Sequence, residues 1–211
     1  MNLISAILLA AGESRRMGGR DKLLLVYEGK TLLLRAAELL DSLPCYEKIM
    51  VTTESRLLGL DIPYSVRAIA NSNPEAGLSG SVRLGLEAAS GDQFLFLNAD
   101  QPLLSLDNLL PMIRMAGENP EKIIFPTISG RPCTPTVFPA RFRNDLCNLH
   151  GDTGGRVVRD AYPNDCLTFE ADNPKAFSDI DDEEGYNRII RNSGLGIRNV
   201  TAQGVSGELH S

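Results

Sequence analysis

Positive charge is scarce in this sequence: 21 Lys and Arg stand against 27 Asp and Glu, a formal net charge of −6 at pH 7. An acidic chain gains nothing from a polyanion, so nucleic acid and anionic membrane are both disfavoured as partners, and the basic groups are expected to act locally. Cysteine is nearly as scarce. Cys45, Cys133, Cys147 and Cys166 show neither C-x-x-C spacing nor neighbouring histidines. That leaves no recognisable zinc motif or disulfide framework and points to a reducing, cytoplasmic setting. Of the two histidines, His150 lies in a loop, where a lone imidazole reads as a surface or packing residue rather than a general base. Tyr27, Tyr46, Tyr64 and Tyr162 lack a spacing suited to stacking single-stranded bases, and read as packing residues. Long apolar runs are missing too: residues 4–11 are too few to cross a bilayer and no basic segment precedes them. They read as a strand, and no targeting or membrane segment is recognised.

What is present suffices for one core. The chain has 211 residues, 43% hydrophobic and 23% charged, an ordinary globular composition. One domain over residues 1–193 is expected, followed by a loosely held Gly- and Ser-rich tail over 194–211. A strand at 4–10 leads into a loop at 11–30, and Thr31 then precedes the helical pattern Leu32, Leu33, Ala36, Leu39, Leu40, Leu43, closed by Pro44. β-Rich runs at 48–53 and 65–70 precede a Gly/Ser/Pro loop at 71–80 and a helix carrying Val82, Gly85, Leu86 and Ala89. The continuous apolar run at 94–97 fits a central strand covered on both faces. Further strands near 122–125, 136–138 and 166–169, with helices near 106–116, 139–149, 154–160 and 183–191, complete the alternation. The class is α/β, a Rossmann-like, mostly parallel (mixed) sheet flanked by helices.

In an open α/β sheet ligands gather at the carboxyl ends of the strands, which is where the loop 11–30 begins. Gly12, Gly18 and Gly19 let the backbone turn tightly and bring amide N–H groups towards anionic oxygens, while Arg15, Arg16 and Lys22 supply charge. The spacing matches neither G-x-x-x-x-G-K-[ST] nor G-x-G-x-x-G, which disfavours P-loop hydrolysis and dinucleotide binding. Spacing alone also suits a plain solvated turn. Likewise Gly77, Ser79, Gly80 and Ser81 open a helix, where free N–H groups suit an anion or serve as an ordinary N-cap. Asp100, after the central strand, is placed either to hold a hard cation or to shape a turn before Pro102.

The run LLAAGESRRMGGRDKLLL at residues 8–25 resembles the signature L-A-A/G-G-x-x-x-R-M-G-x-x-K of the molybdenum-cofactor nucleotidyltransferases and their sugar-nucleotide relatives. PEAGLSGSVRLGLEAA at 74–89 is similar to the G-[ML]-S-x-S-[LV]-R-x-G-[LI] segment of the cytidylyl branch, NADQP at 98–102 to the G/C-D-Q-P metal motif, and SDIDDEEGYNRI at 178–189 to D-I-D-T-P-E-D-L. The resemblance implies a nucleotide-diphospho-sugar transferase-like fold. It also implies that Leu9, Ala10, Ala11, Gly12, Arg16, Lys22, Gly77, Ser79, Gly80 and Ser81 bind the nucleotide. Lys22, Arg16 and Asp100 would carry catalysis, with Lys22 exposed before substrate arrives, and Asp100 with Asp179 or Asp181 would hold Mg²⁺. Asp179, Asp181 and Asp182 are equally placed to cap the helix at Glu183.

SGRPCTPTVFPARFRNDLCNLHGDTGGRVV, residues 129–158, resembles the acceptor-side stretch G-R-x-G-H-P-x-x-F … L-x-G-D-x-G-A-R. It implies acceptor contacts at Thr134, Pro135, Gly151, Asp152 and Arg156, although Cys133-Thr134 replaces the Gly-His before the proline. The implied reaction is transfer of CMP from CTP to molybdopterin with release of pyrophosphate, with a molybdenum hydroxylase or its chaperone as client. GTP-dependent molybdopterin guanylyl transfer and sugar-phosphate nucleotidyl transfer are the enzymatic alternatives. A cofactor carrier that binds without turnover is the alternative outside enzymes.

Overall fold

The computed structural model describes residues 3–12, 17 and 20–192. Strand β1 (Ile4–Ala10) is followed by a short hairpin, β2 (Val26–Tyr27) and β3 (Lys30–Thr31), helix α1 (Leu32–Ser42), β4 (Glu47–Thr52), the single turn α2 (Glu54–Leu57) and β5 (Val66–Ala70). Then come α3 (Leu78–Ala88), β6 (Gln93–Asn98), α4 (Leu106–Glu118), β7 (Ile123–Ile128), β8 (Arg131–Pro132) and β9 (Thr136–Pro139). α5 (Arg143–Cys147), α6 (Arg156–Ala161), β10 (Cys166–Glu170) and α7 (Glu183–Asn192) complete the order.

The sheet runs β10-β7-β9-β6-β1-β4-β5, with β8 paired on β7. β1 pairs in parallel with β4 and β6, and so do β4 with β5 and β7 with β10. β9 runs antiparallel to both β6 and β7, which makes the sheet mixed. Six of the seven β1 residues are buried, as a strand covered on both faces requires. Alternation along β1 sends Ala6, Leu8 and Ala10 to one apolar cluster, shared with Leu33 and Leu40 of α1 and Leu109 and Met112 of α4. Ile7 joins the opposite cluster, with Val82 and Leu86 of α3 and Leu146 of α5.

Local chemistry sets the helix ends. Thr31 Oγ1 accepts from Leu34 N–H at 3.2 Å at the start of α1, and Pro44 follows its last turn. At the amino edge of the sheet Glu47 accepts from Ser5 Oγ at 2.5 Å and from the N–H groups of Ser90 at 2.6 Å and Gly91 at 3.2 Å. Burial pushes that carboxyl up, but the Ser5, Ser90 and Gly91 hydrogen bonds outweigh it and hold it below the ordinary glutamate value.

The expected continuous loop at 11–30 is broken in its second half by a 3-10 turn, Lys22–Leu24, and by the β2–β3 hairpin. The expected helix at 139–149 splits into a 3-10 turn at Ala140–Phe142 and α5, while α3 begins at Leu78, within the helix start expected at residues 77–81. All four cysteines are free. Among the described residues no helix is long and apolar enough to cross a membrane. The boundary expected at 193/194, and the tail beyond it, lie outside the described residues.

Candidate functional site

A cleft of about 770 Å³ opens where β1 and β6 end, the expected carboxyl edge of the sheet. Leu9, Ala10, Ala11 and Gly12 form one wall. Lys22 projects into it from the 3-10 turn Lys22–Leu24, which Asp21 caps by accepting from Leu23 N–H at 3.0 Å. Lys22 Nζ donates to Asp100 Oδ2 at 2.5 Å and to the Ile180 carbonyl at 3.0 Å, and its side chain is 16% exposed. The expectation of an exposed Lys22 is therefore corrected: a charge-assisted pair across 78 residues of sequence draws the ammonium down. Arg16 and its neighbours Arg15, Gly18 and Gly19 lie outside the described residues.

Asp100 sits just past β6, and its backbone carbonyl accepts from Ile180 N–H at 2.9 Å, which ties the Asp179–Asp181 segment to it. Asp100 Oδ1 is buried with no hydrogen-bond partner among the described residues, an orphaned acceptor aimed at a charge or donor. Asp179 is exposed as a residue, yet protein encloses its carboxyl; burial and then the charges of Asp100 and Asp181 push it up to about 7, against the pull of Lys22 and a Gln101 hydrogen bond. Asp181 lines the cleft and Asp179 does not. Asp182 caps α7, its Oδ1 accepting from Gly185 N–H at 2.8 Å, so capping falls to the third aspartate and leaves the other two available. Among the described residues no three His, Cys, Asp or Glu side chains converge into a metal-holding group. A hard cation that keeps several waters needs only one or two carboxylates, and an orphaned Asp100 oxygen beside mutually repelling carboxylates fits such an ion.

The helix start at α3 forms the facing wall. Gly77 and Ser81 line the cleft, whereas Ser79 and Gly80 do not. Helical geometry explains the split, because positions 78 and 81 share a face and 79 and 80 turn from it. Ser79 is buried and uses its N–H on the Gly151 carbonyl at 3.1 Å, while Ser81 Oγ accepts from Asn71 Nδ2 at 3.1 Å.

The expected acceptor residues separate in the same way. Gly151 and Asp152 line the same cleft as Leu9, Ala10, Ala11 and Gly12. Thr134 and the buried Pro135, joined by a cis peptide, are outside the cleft lining; Gln101 Nε2 donates to Thr134 O at 3.3 Å, Thr134 Oγ1 at 3.1 Å and Phe177 O at 3.0 Å. Arg156, at the start of α6, is 82% exposed and pairs with Asp160 at 3.4 Å, outside the cleft lining. An exposed i,i+4 partner holds that guanidinium on the helix surface. Sequence reasoning overlooked Arg56, whose buried guanidinium grips the first wall, and Gln101. Arg56 carries no local pattern that marks it, whereas Gln101 stands in the NADQP run, where only Asp100 was assigned a role.

At the carboxyl edge of this mixed α/β sheet, a glycine-bearing backbone, a lysine and the two aspartates Asp100 and Asp181 line one cleft. A family model described as MobA-like NTP transferase domain matches residues 6–166, and the chain belongs to that family. It is 37% identical over 123 residues to a probable molybdenum cofactor guanylyltransferase from Rhodopirellula baltica, covering 56% of this chain and 58% of that protein. The chain thus spans little more than half the length of the guanylyltransferase relatives it matches. It is 29% identical over 201 residues to the purine catabolism protein PucB of Bacillus subtilis, covering 88% and 95% of the two chains. A nucleotidyl transferase structure from Methanothermobacter thermautotroptrophicus superposes with a TM-score of 0.76 at 24% identity, covering 91% and 98%. The fold is the expected nucleotide-diphospho-sugar transferase-like one.

Proposed function

We propose that this chain transfers the nucleoside monophosphate of an NTP to a molybdopterin-type acceptor and releases pyrophosphate. One observation carries the reading: a single cleft joins the Ala10–Gly12 backbone, Lys22 on Asp100 with its orphaned oxygen, and the Gly151–Asp152 loop. An acceptor phosphate oxygen attacks the α-phosphorus in line and the bond to the β-phosphate bridging oxygen breaks, so no protein nucleophile is needed. Lys22 stabilises charge on the departing pyrophosphate, and the small residues of both walls admit the nucleotide closely. Asp100 with Asp179 or Asp181 would hold a divalent cation, Mg²⁺ in this reading, which supplies charge neutralisation at the triphosphate.

For the donor, the guanylyltransferase names of relatives at 32–37% identity support GTP over the expected CTP. CTP remains the second reading because Gly77 and Ser81, in the segment similar to the cytidylyl branch, line the cleft. Incubating the protein with each of the four NTPs, Mg²⁺ and metal-loaded molybdopterin decides it, read as pyrophosphate and nucleotide incorporated. Faster use of GTP supports the guanylyl reading and faster use of CTP replaces it. Turnover with a sugar phosphate but not molybdopterin overturns the acceptor, and cofactor binding without turnover leaves a carrier.

A further inference from the structure

Arg56 lies in α2 with a side chain only 5% exposed. A guanidinium is buried at heavy desolvation cost unless its donors are matched, so the identity of its partners is informative. Nε and Nη2 donate to Asp21 Oδ2 and Oδ1 at 2.6 and 2.9 Å, a two-pronged carboxylate grip. Nη1 donates to the Ala10 carbonyl and Nη2 to the Gly12 carbonyl at 2.7 Å. Every one of these partners belongs to the first wall of the cleft or to the cap of the turn that carries Lys22.

We propose that Arg56 is a positioning residue for nucleotide binding, fastening the end of β1 to the Asp21 cap so that Lys22 is held at Asp100. The inference rests on the nucleotidyl-transfer reading of the cleft. Two consequences follow from the geometry. Carbonyl oxygens repel a triphosphate, and Arg56 turns those of Ala10 and Gly12 onto itself; in a trans peptide the Ala11 N–H then points the opposite way. Asp21, neutralised by Arg56, still accepts from Leu23 N–H, which fixes the turn in which Lys22 is the next residue. The pair is internally neutral, so Arg56 acts through the wall rather than by adding charge at the phosphates.

The test compares Arg56→Lys, which keeps the charge but cannot supply the planar fork, with Thr52→Val, which removes another buried bond to the same Ala10 carbonyl. Two properties of the full-length protein are measured, beside its melting temperature: the rate of reductive methylation of Lys22 without ligand, and the dissociation constant for an NTP with Mg²⁺ by calorimetry. We expect Arg56→Lys to raise Lys22 methylation several-fold and to weaken NTP binding about tenfold. Thr52→Val should change both by less than twofold at a comparable melting temperature. Equal changes in the two variants, or none in Arg56→Lys, overturn the proposal. If Arg56→Lys does not fold, Asp21→Asn is measured in its place and the same outcomes apply. Should the wild type bind none of the four NTPs, the nucleotidyl-transfer reading fails, and Lys22 methylation alone decides whether Arg56 positions the lysine.

Discussion

Gly77 and Gly151 meet backbone to backbone: a Cβ on Gly77 would stand 2.4 Å from the Gly151 carbonyl carbon and 2.5 Å from its oxygen. The same oxygen accepts the Ser79 N–H, so residues assigned from sequence to nucleotide and to acceptor form one wall. Gly77 also has φ +88°, a conformation that a Cβ disfavours. Gly77→Ala should therefore lose about 1–3 kcal/mol of stability and weaken nucleotide binding. Gly80→Ala is the control, because its Cβ meets Ala76 Cβ at an ordinary 3.8 Å. It should be neutral or stabilising by up to about 1 kcal/mol. Denaturant unfolding of the two variants checks this, and equal losses would contradict the wall.

Lys22→Ala should lower turnover by roughly a hundredfold or more, since one phosphate-directed donor is typically worth a few kcal/mol in the transition state. Circular dichroism should be unchanged, because water can reach Asp100, whose side chain is 19% exposed. Unaltered kcat and KM for the nucleotide would reduce Lys22 to a structural partner of Asp100.

Asp100→Asn should be nearly inactive at any Mg²⁺ concentration, since the amide keeps the shape and loses the charge. Between the later aspartates, Asp181 lines the cleft, so Asp181→Asn should match it while Asp179→Asn retains more activity. Mg²⁺ titrations of turnover for the three variants separate them, and a stronger effect at Asp179 would reverse the assignment.

At the opposite edge, Glu47 has a folded pKa below its unfolded value near about 4.3, so its stabilisation is present above that pH and lost as pH falls through the folded value. Glu47→Gln should lower the melting temperature at pH 7 and by progressively less towards pH 3. A difference independent of pH would show that the charge is immaterial.

Much of the frame was legible because its signals are local. The apolar run of β1, the Thr31 cap before Leu32 and the run at 94–97 each declare an element within a few residues, and each element stands as read. The β2–β3 hairpin was missed because two residues a side are too few to show alternation. Arg56 was invisible for a different reason: in the run TTESRLLG it looks like a surface arginine, and its partner Asp21 is 35 residues away. Burial of a charge is decided by tertiary packing. The same holds for Ser79 and Gly80, which a linear motif groups with Gly77 and Ser81 although the helix rotates them off the cleft.

The position of β1 inside the sheet, between β6 and β4, also governs how the chain is made. It precedes both of its partners in synthesis, and the ribosome must add residues through β4 to cover one flank and through β6 to cover the other. Until β6 is made, a strand with six buried residues has one edge unpaired. Closure of these distant parallel pairings makes folding slow by topology, and the waiting strand is the segment most exposed to misassociation and most in need of chaperone shelter as the polypeptide emerges.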